Sequence, residues 1–122
     1  MTPLTPMRRI VGQRMTLSKQ TAPHFYVSID VDMNAVVRLR HDLRGRGEDV
    51  VPSVNDFILL ACARALEDFP LLNSSYGEQG LILHPEIHVG MAVALNEGLV
   101  VPVIRNADRL TFAELAQQSR RN

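Results

Sequence analysis

Apolar and polar side chains alternate without a break over 25–33. Phe25, Val27, Ile29, Val31 and Met33 fall on one register, and Tyr26, Ser28, Asp30 and Asp32 on the other. A period of two belongs to a strand, so the stretch predicts a β-strand with one buried face. Upstream the period lengthens. Met7, Ile10, Val11, Met15 and Ser18 recur at helical spacing while Arg8, Arg9 and Lys19 lie largely off that stripe, which predicts an amphipathic helix over 7–20 closed before Pro23. Pro3 and Pro6 disfavour helix in the residues that precede them, and 1–6 is read as an extended arm.

Downstream, Val36, Leu39, Arg40 and Leu43 line one side of a short helix that Gly45 and Gly47 stop. Ser53 and Asp56 have the spacing of a capping box, so a third helix starts there and Pro70 ends it. Its stretch 57–66 is apolar nearly all the way round and is expected to be buried on most sides, with Cys62 an inert thiol inside it. Four short strands follow over 72–76, 81–83, 88–95 and 99–104, with Asn96, Glu97 and Gly98 forming a tight turn between the last two. Pro102 has no N–H to give a ladder, so its strand should be an edge or end in a bulge. Val89, Met91, Val93 and Leu95 share one strand face. Gly90, Ala92 and Ala94 share the other, small enough for another element to pack closely on it. Thr111 and Glu114 make a second capping box for a helix from Phe112. That helix is still running at Asn122, and the chain is expected to be part of a larger domain.

Composition changes this picture little. At 122 residues, 46% of them hydrophobic and 21% charged, the chain reads as globular. Thirteen basic and thirteen acidic residues cancel, which argues against general nucleic-acid binding. The first ten residues carry no apolar core of a secretion signal, and no apolar run is long enough to span a bilayer. One cysteine makes no internal disulfide, and the expected location is cytoplasmic. No second histidine or cysteine lies at ligand spacing from His24, so no metal site is expected.

Five stretches, in this order and spacing, resemble the dihydrolipoyl acyltransferase catalytic domain of 2-oxo acid dehydrogenase complexes. They are 7–15 (MRRIVGQRM) with Ser18 and Lys19, 23–26 (PHFY), 53–58 (SVNDFI), 72–75 (LNSS) and 98–108 (GLVVPVIRNAD). The resemblance covers nearly the whole chain. It implies an α/β (α+β) fold of the chloramphenicol acetyltransferase type, a mixed sheet packed by helices, here incomplete, with 7–122 as the N-terminal half of the catalytic domain. It implies transfer of an acyl group, acetyl favoured, between dihydrolipoamide and coenzyme A. It also implies a trimer-based homo-oligomer that works with 2-oxo acid dehydrogenase and dihydrolipoyl dehydrogenase components, the lipoyl group coming from a separate domain. The resemblance implies neither a nucleic-acid nor a membrane partner. Two rival readings are a non-catalytic scaffold piece of an oligomeric core and a same-fold acyltransferase acting on a free small molecule.

The resemblance also assigns residues. It places a coenzyme A contact at Arg40, where a guanidinium suits phosphate, and others at Ser74 and Ser75; it puts His24, Phe25 and Tyr26 along the lipoamide channel. Each has a plainer reading: a solvated basic helix end for Arg40, turn hydroxyls for the serines, plain core for Phe25. Arg14 is either an exposed helix residue or an interior ion-pair partner. The family's catalytic His-x-x-x-Asp-Gly motif is absent: none of His24, His41, His84 and His88 is followed by Asp-Gly four residues on. The chain therefore supplies no candidate for the base that deprotonates the attacking thiol. The expected outcome is that residues 1–122 alone transfer no acetyl group between acetyl coenzyme A and dihydrolipoamide. A thiol-release assay checks this, and turnover that a substitution within 1–122 abolishes would contradict it.

Overall fold

The computed structural model describes residues 2–96 and 98–121. In chain order the elements are helix α1 (Pro6–Thr21), helix α2 (Asn34–Gly45), helix α3 (Val54–Asp68), a 3-10 turn (Pro70–Leu72), strands β1 (Ser74–Gly77), β2 (Gly80–Leu83), β3 (Val89–Gly90), β4 (Val93–Leu95), β5 (Gly98–Val100) and β6 (Val103–Ile104), and helix α4 (Phe112–Arg121). They form two compact units. One contains the chain up to Val31 together with Ala92–Val100, and the other Asp32–Met91 with Val101 onward.

In the first unit, α1 starts at Pro6 rather than Met7, because Thr5 caps it: its hydroxyl accepts from the Arg8 N–H at 3.3 Å. Proline at the first helical position loses no bond, since that N–H has no partner in any helix. The expected apolar stripe of α1 is not buried; Met7, Ile10, Val11 and Met15 are all exposed. Strands β4 and β5 form a hairpin in the register Val93↔Val100, Ala94↔Leu99, Leu95↔Gly98. Of the expected turn 96–98, Glu97 lies outside the described residues. Met7 lies so close to Gly98 that a β-carbon there would collide with its sulfur.

The alternating segment 25–33 is the largest departure from expectation. It forms no strand and has no ladder partner among the described residues, and Phe25, read as core, is 84% exposed. Alternation reports that one face suits burial; a strand also needs a neighbour for its N–H and C=O groups. Without one, the stretch stays outside any ladder.

The second unit holds the core: Leu59 and Ala63 of α3, Ile87, Ile104 of β6, Ala107 and Leu115 of α4, with Leu60, Leu66, Val89, Met91 and Leu110 packed against them. The capping box at Ser53 is complete. The Ser53 hydroxyl accepts from the Asp56 N–H at 3.1 Å, and the Asp56 carboxylate accepts from the Ser53 N–H at 2.6 Å. Only one stripe of α3 reaches the core, contrary to the expected burial on most sides. Ile58 is exposed and so is Cys62, which corrects the reading of a buried thiol. Phe57 and Phe112 meet edge to face, with centroids 4.5 Å apart, where α3 packs on α4.

The expected strands over 88–95 and 99–104 are each broken in two. β3 pairs with β6 in the register Val89↔Ile104, and β4 with β5. Pro102 sits at the break as its missing N–H requires; its carbonyl still accepts from the Met91 N–H at 3.0 Å. Gly90, Ala92 and Ala94 are all exposed among the described residues. A β-carbon at Gly90 would stand 2.8 Å from a Val101 methyl, so that position admits only glycine without movement. Among the described residues the ladders are three antiparallel pairs.

The second capping box also forms. Glu114 accepts from the Thr111 N–H and hydroxyl, both at 2.8 Å, and the Glu114 N–H donates back to the hydroxyl at 3.3 Å. These bonds favour the charged carboxylate and hold Glu114 below its ordinary value of 4.5. A depressed folded-state pKa gives stability that is present above the ordinary value and lost as pH falls through the depressed one. Acid titration followed by circular dichroism should show helix loss in that window, and Thr111→Val should make the loss smaller.

Asp56 is 1% exposed, and its second oxygen accepts from the Ser119 hydroxyl of α4 at 2.5 Å. Asp56→Ala removes a cap and a buried charge-assisted bond, so it should cost on the order of 2–4 kcal/mol. Ser119→Ala should cost less, and the two should be non-additive in denaturant unfolding because they share one bond.

Candidate functional site

The residues of the family resemblance fall in three places. Ser74 and Ser75 open the β1–β2 hairpin, whose register runs from Ser74↔Leu83 and Ser75↔Ile82 to Gly77↔Gly80. Gly80 has φ +134, which a glycine adopts without strain, so the two-residue turn closes there. At the open end Asn73 acts as a clamp. Its side-chain amide donates to the carbonyls of His84 at 2.9 Å and Glu86 at 3.1 Å, and its own carbonyl accepts from the His84 N–H at 3.0 Å. The hairpin thus hangs from one asparagine as well as from its ladder.

The two serines behave differently. The Ser74 hydroxyl donates to the Leu71 carbonyl at 2.6 Å, the local turn bond that its plainer reading anticipates. Ser75 instead reaches across the hairpin to His84, with the hydroxyl oxygen 2.7 Å from Nε2. Arg40 lies on α2, half-buried, and its Nε donates to the Pro52 carbonyl at 2.8 Å. That bond ties α2 to the residue just before the α3 cap. Among the described residues, Arg40 shares no hydrogen bond with either serine.

His24, Phe25 and Tyr26 lie in the other unit, at the start of the alternating segment, and all are exposed. Tyr26 is held to α1: the Lys19 ammonium donates to its hydroxyl at 2.7 Å and stands 5.4 Å from the ring centroid. The Ser18-Lys19 pair of the first resembling stretch thus has a physical role, fixing where the segment leaves the helix. Arg14 is exposed on α1.

Sequence reasoning missed three participants. His84 and the Asn73 clamp were invisible because their bonds run between residues nine to thirteen positions apart. The third is the turn after β6. Asn106 has φ +49, and its N–H donates to Nδ1 of His88 at 3.1 Å, while the other ring nitrogen lies 3.4 Å from the Glu86 carboxylate. Asparagine tolerates this left-handed conformation better than most residues, and Asn106 between Arg105 and Ala107 was a readable sign of it. Among the described residues, His, Cys, Asp and Glu form no group of three or more able to hold a metal, and no helix is long and apolar enough to cross a membrane.

Comparison with known proteins adds the following. The model of the family described as 2-oxoacid dehydrogenases acyltransferase (catalytic domain) matches residues 1–122. The dihydrolipoyllysine-residue acetyltransferase component of the pyruvate dehydrogenase complex of Rickettsia bellii is 38% identical over 119 residues, covering 95% of this chain and 28% of the relative. A crystal structure of Azotobacter vinelandii dihydrolipoamide acetyltransferase, from work on its catalytic mechanism, superposes with a TM-score of 0.92 at 30% identity, covering 99% of this chain and 51% of that one. The cubic core of a pyruvate dehydrogenase multienzyme complex gives 0.91 at 30% identity, again over 99% and 51%. The chain thus spans about half the length of those solved chains and under a third of that curated relative.

Proposed function

Because the chain belongs to the family of 2-oxoacid dehydrogenases acyltransferases, over residues of their catalytic domain, we propose that it is part of an enzyme that moves an acyl group between dihydrolipoamide and coenzyme A. Acetyl is the favoured group. One observation carries the reading: over 99% of its length the backbone follows that of dihydrolipoamide acetyltransferase catalytic cores at about 30% identity. The five resembling stretches lie along that same backbone.

In this chemistry one thiol attacks the thioester carbonyl carried by the other. A base takes the thiol proton, and donors stabilise the oxyanion of the tetrahedral intermediate. Residues 1–122 carry no His-x-x-x-Asp-Gly motif, so their part is to build binding surface. Arg40 is assigned to a coenzyme A phosphate. Its Nε is committed to the Pro52 carbonyl, which fixes the guanidinium plane and leaves the terminal nitrogens for the ligand. Ser74 and Ser75 contact coenzyme A from the hairpin, and His24, Phe25 and Tyr26 line the lipoamide channel, anchored through Lys19. Residues 1–6 serve as an arm, which gives way to α1 at Pro6, and 7–122 as the N-terminal half of the catalytic domain. The lipoyl group comes from a separate domain. The whole protein assembles as a trimer-based homo-oligomer in the cytoplasm, with 2-oxo acid dehydrogenase and dihydrolipoyl dehydrogenase components as partners.

The test is acetyl exchange by the full-length gene product between acetyl coenzyme A and dihydrolipoamide; no exchange would refute the reading. Arg40→Ala should weaken coenzyme A binding by about 1–3 kcal/mol, the worth of a lost charge-assisted contact. Calorimetry of the two full-length proteins checks it, and equal affinities would remove Arg40 from the site.

A further inference from the structure

The Ser75–His84 pair is the one close contact between a hydroxyl and an imidazole among the described residues that the proposed chemistry leaves unused. Its construction is specific. Ser75 stands opposite Ile82 in the ladder, so His84, two residues on, is its diagonal neighbour on the same face. His84 lies just past the end of β2, where a side chain would ordinarily swing free. Instead Asn73 holds its backbone from both sides, accepting from its N–H at 3.0 Å and donating to its carbonyl at 2.9 Å, while a second bond to the Glu86 carbonyl at 3.1 Å fixes the next turn. The imidazole is therefore aimed, and Nε2 meets the Ser75 oxygen at 2.7 Å.

A serine hydroxyl on an exposed hairpin samples several rotamers, and any ligand that uses it must freeze them. A bond from an aimed imidazole does so in advance. With Nε2 unprotonated, Ser75 donates to it and presents lone pairs to a ligand; with Nε2 protonated, Ser75 accepts and its O–H is free to donate. In either state the hydroxyl has one direction. Ser74, bonded to the Leu71 carbonyl within its own turn, has no such partner across the hairpin.

We propose that His84 is a positioning residue for coenzyme A binding, holding the Ser75 hydroxyl in the orientation that meets the ligand. This rests on the reading of Ser75 as a coenzyme A contact. Glutamine places an amide near where Nε2 lies, whereas asparagine is one carbon too short, so the two substitutions differ in reach and little in polarity. The experiment measures coenzyme A affinity calorimetrically on the full-length gene product, with melting temperatures recorded alongside. Ser75→Ala should weaken binding roughly three- to tenfold, the worth of one hydrogen bond. His84→Asn should weaken it by a similar factor, and the double variant by no more than either alone. His84→Gln should bind within about twofold of wild type. If Ser75→Ala weakens binding and His84→Asn does not, the positioning role fails while the coenzyme A reading stands. If Gln binds as poorly as Asn, or the two losses add, His84 acts by some route other than Ser75 and the proposal is overturned. Wild-type affinity in Ser75→Ala, or no binding by the wild type, overturns the coenzyme A reading of Ser75 and the proposal with it.

Discussion

A carboxylate at 1% exposure needs hydrogen-bond donors to offset its burial, and Asp56 has two. One oxygen takes the Ser53 N–H and closes the cap of α3; the other takes the Ser119 hydroxyl from α4, sixty-three residues on. The charge also sits in the first turn of α3, where the helix dipole favours it. A residue that reads as ordinary helix-start chemistry is therefore also the joint between two helices. Arg120 adds a second tie nearby, donating to the Val51 carbonyl at 2.6 Å.

The rest of the second unit follows from that joint. With α4 held on α3, Leu115 closes over Leu59 and Ala63, and Ile104 and Ala107 complete the cluster. β6 delivers Ile104, and β3 pairs with it through only two residues, so the ladder alone is a weak attachment. The side chains beyond the ladder carry it further. His88 receives the Asn106 N–H, and the Ala107 N–H donates to the Ile87 carbonyl at 2.9 Å, extending the pairing into the turn. Arg40 is placed by the same assembly, because the Pro52 carbonyl it grips lies next to the Ser53 cap. A side chain on one helix is thus oriented by the start of another.

What the sequence made legible was local. Both capping boxes and the stop at Gly45 and Gly47 depend on residues within a few positions of one another, and each formed as its chemistry required. Side chains that meet across the fold gave no such sign. Nothing in the spacing of Asp56 and Ser119, or of Asn73 and His84, distinguishes a bonded pair from two unrelated polar residues. The candidate site was legible to the same degree. Its residues could be nominated from resemblance, but their partners (Pro52 for Arg40, His84 for Ser75, Lys19 for Tyr26) emerged only with the backbone in place.

Two of the misreadings share one cause. Apolar periodicity states which side of an element suits burial, and it is silent about what does the burying. Along α3 the silence led to overstatement: a helix apolar nearly all the way round was taken as covered on most sides, whereas only the stripe through Leu59 and Ala63 meets the core. Along 25–33 it led to a strand without a neighbour. Phe25 and Tyr26 stand on opposite registers, yet are 84% and 81% exposed, so neither face of that segment is covered by the described residues. A pattern selected for two-sidedness would be idle in a segment that never meets a surface. Such exposure of alternating apolar side chains, next to backbone groups without ladder partners, marks the segment as one whose structure is set by contacts rather than by propensity. Two side-chain bonds hold it near its ends: Lys19 donates to the Tyr26 hydroxyl, and the Asp32 carboxylate accepts from the Asn34 N–H at 2.9 Å. Burial of either face therefore needs a surface that the described residues do not supply.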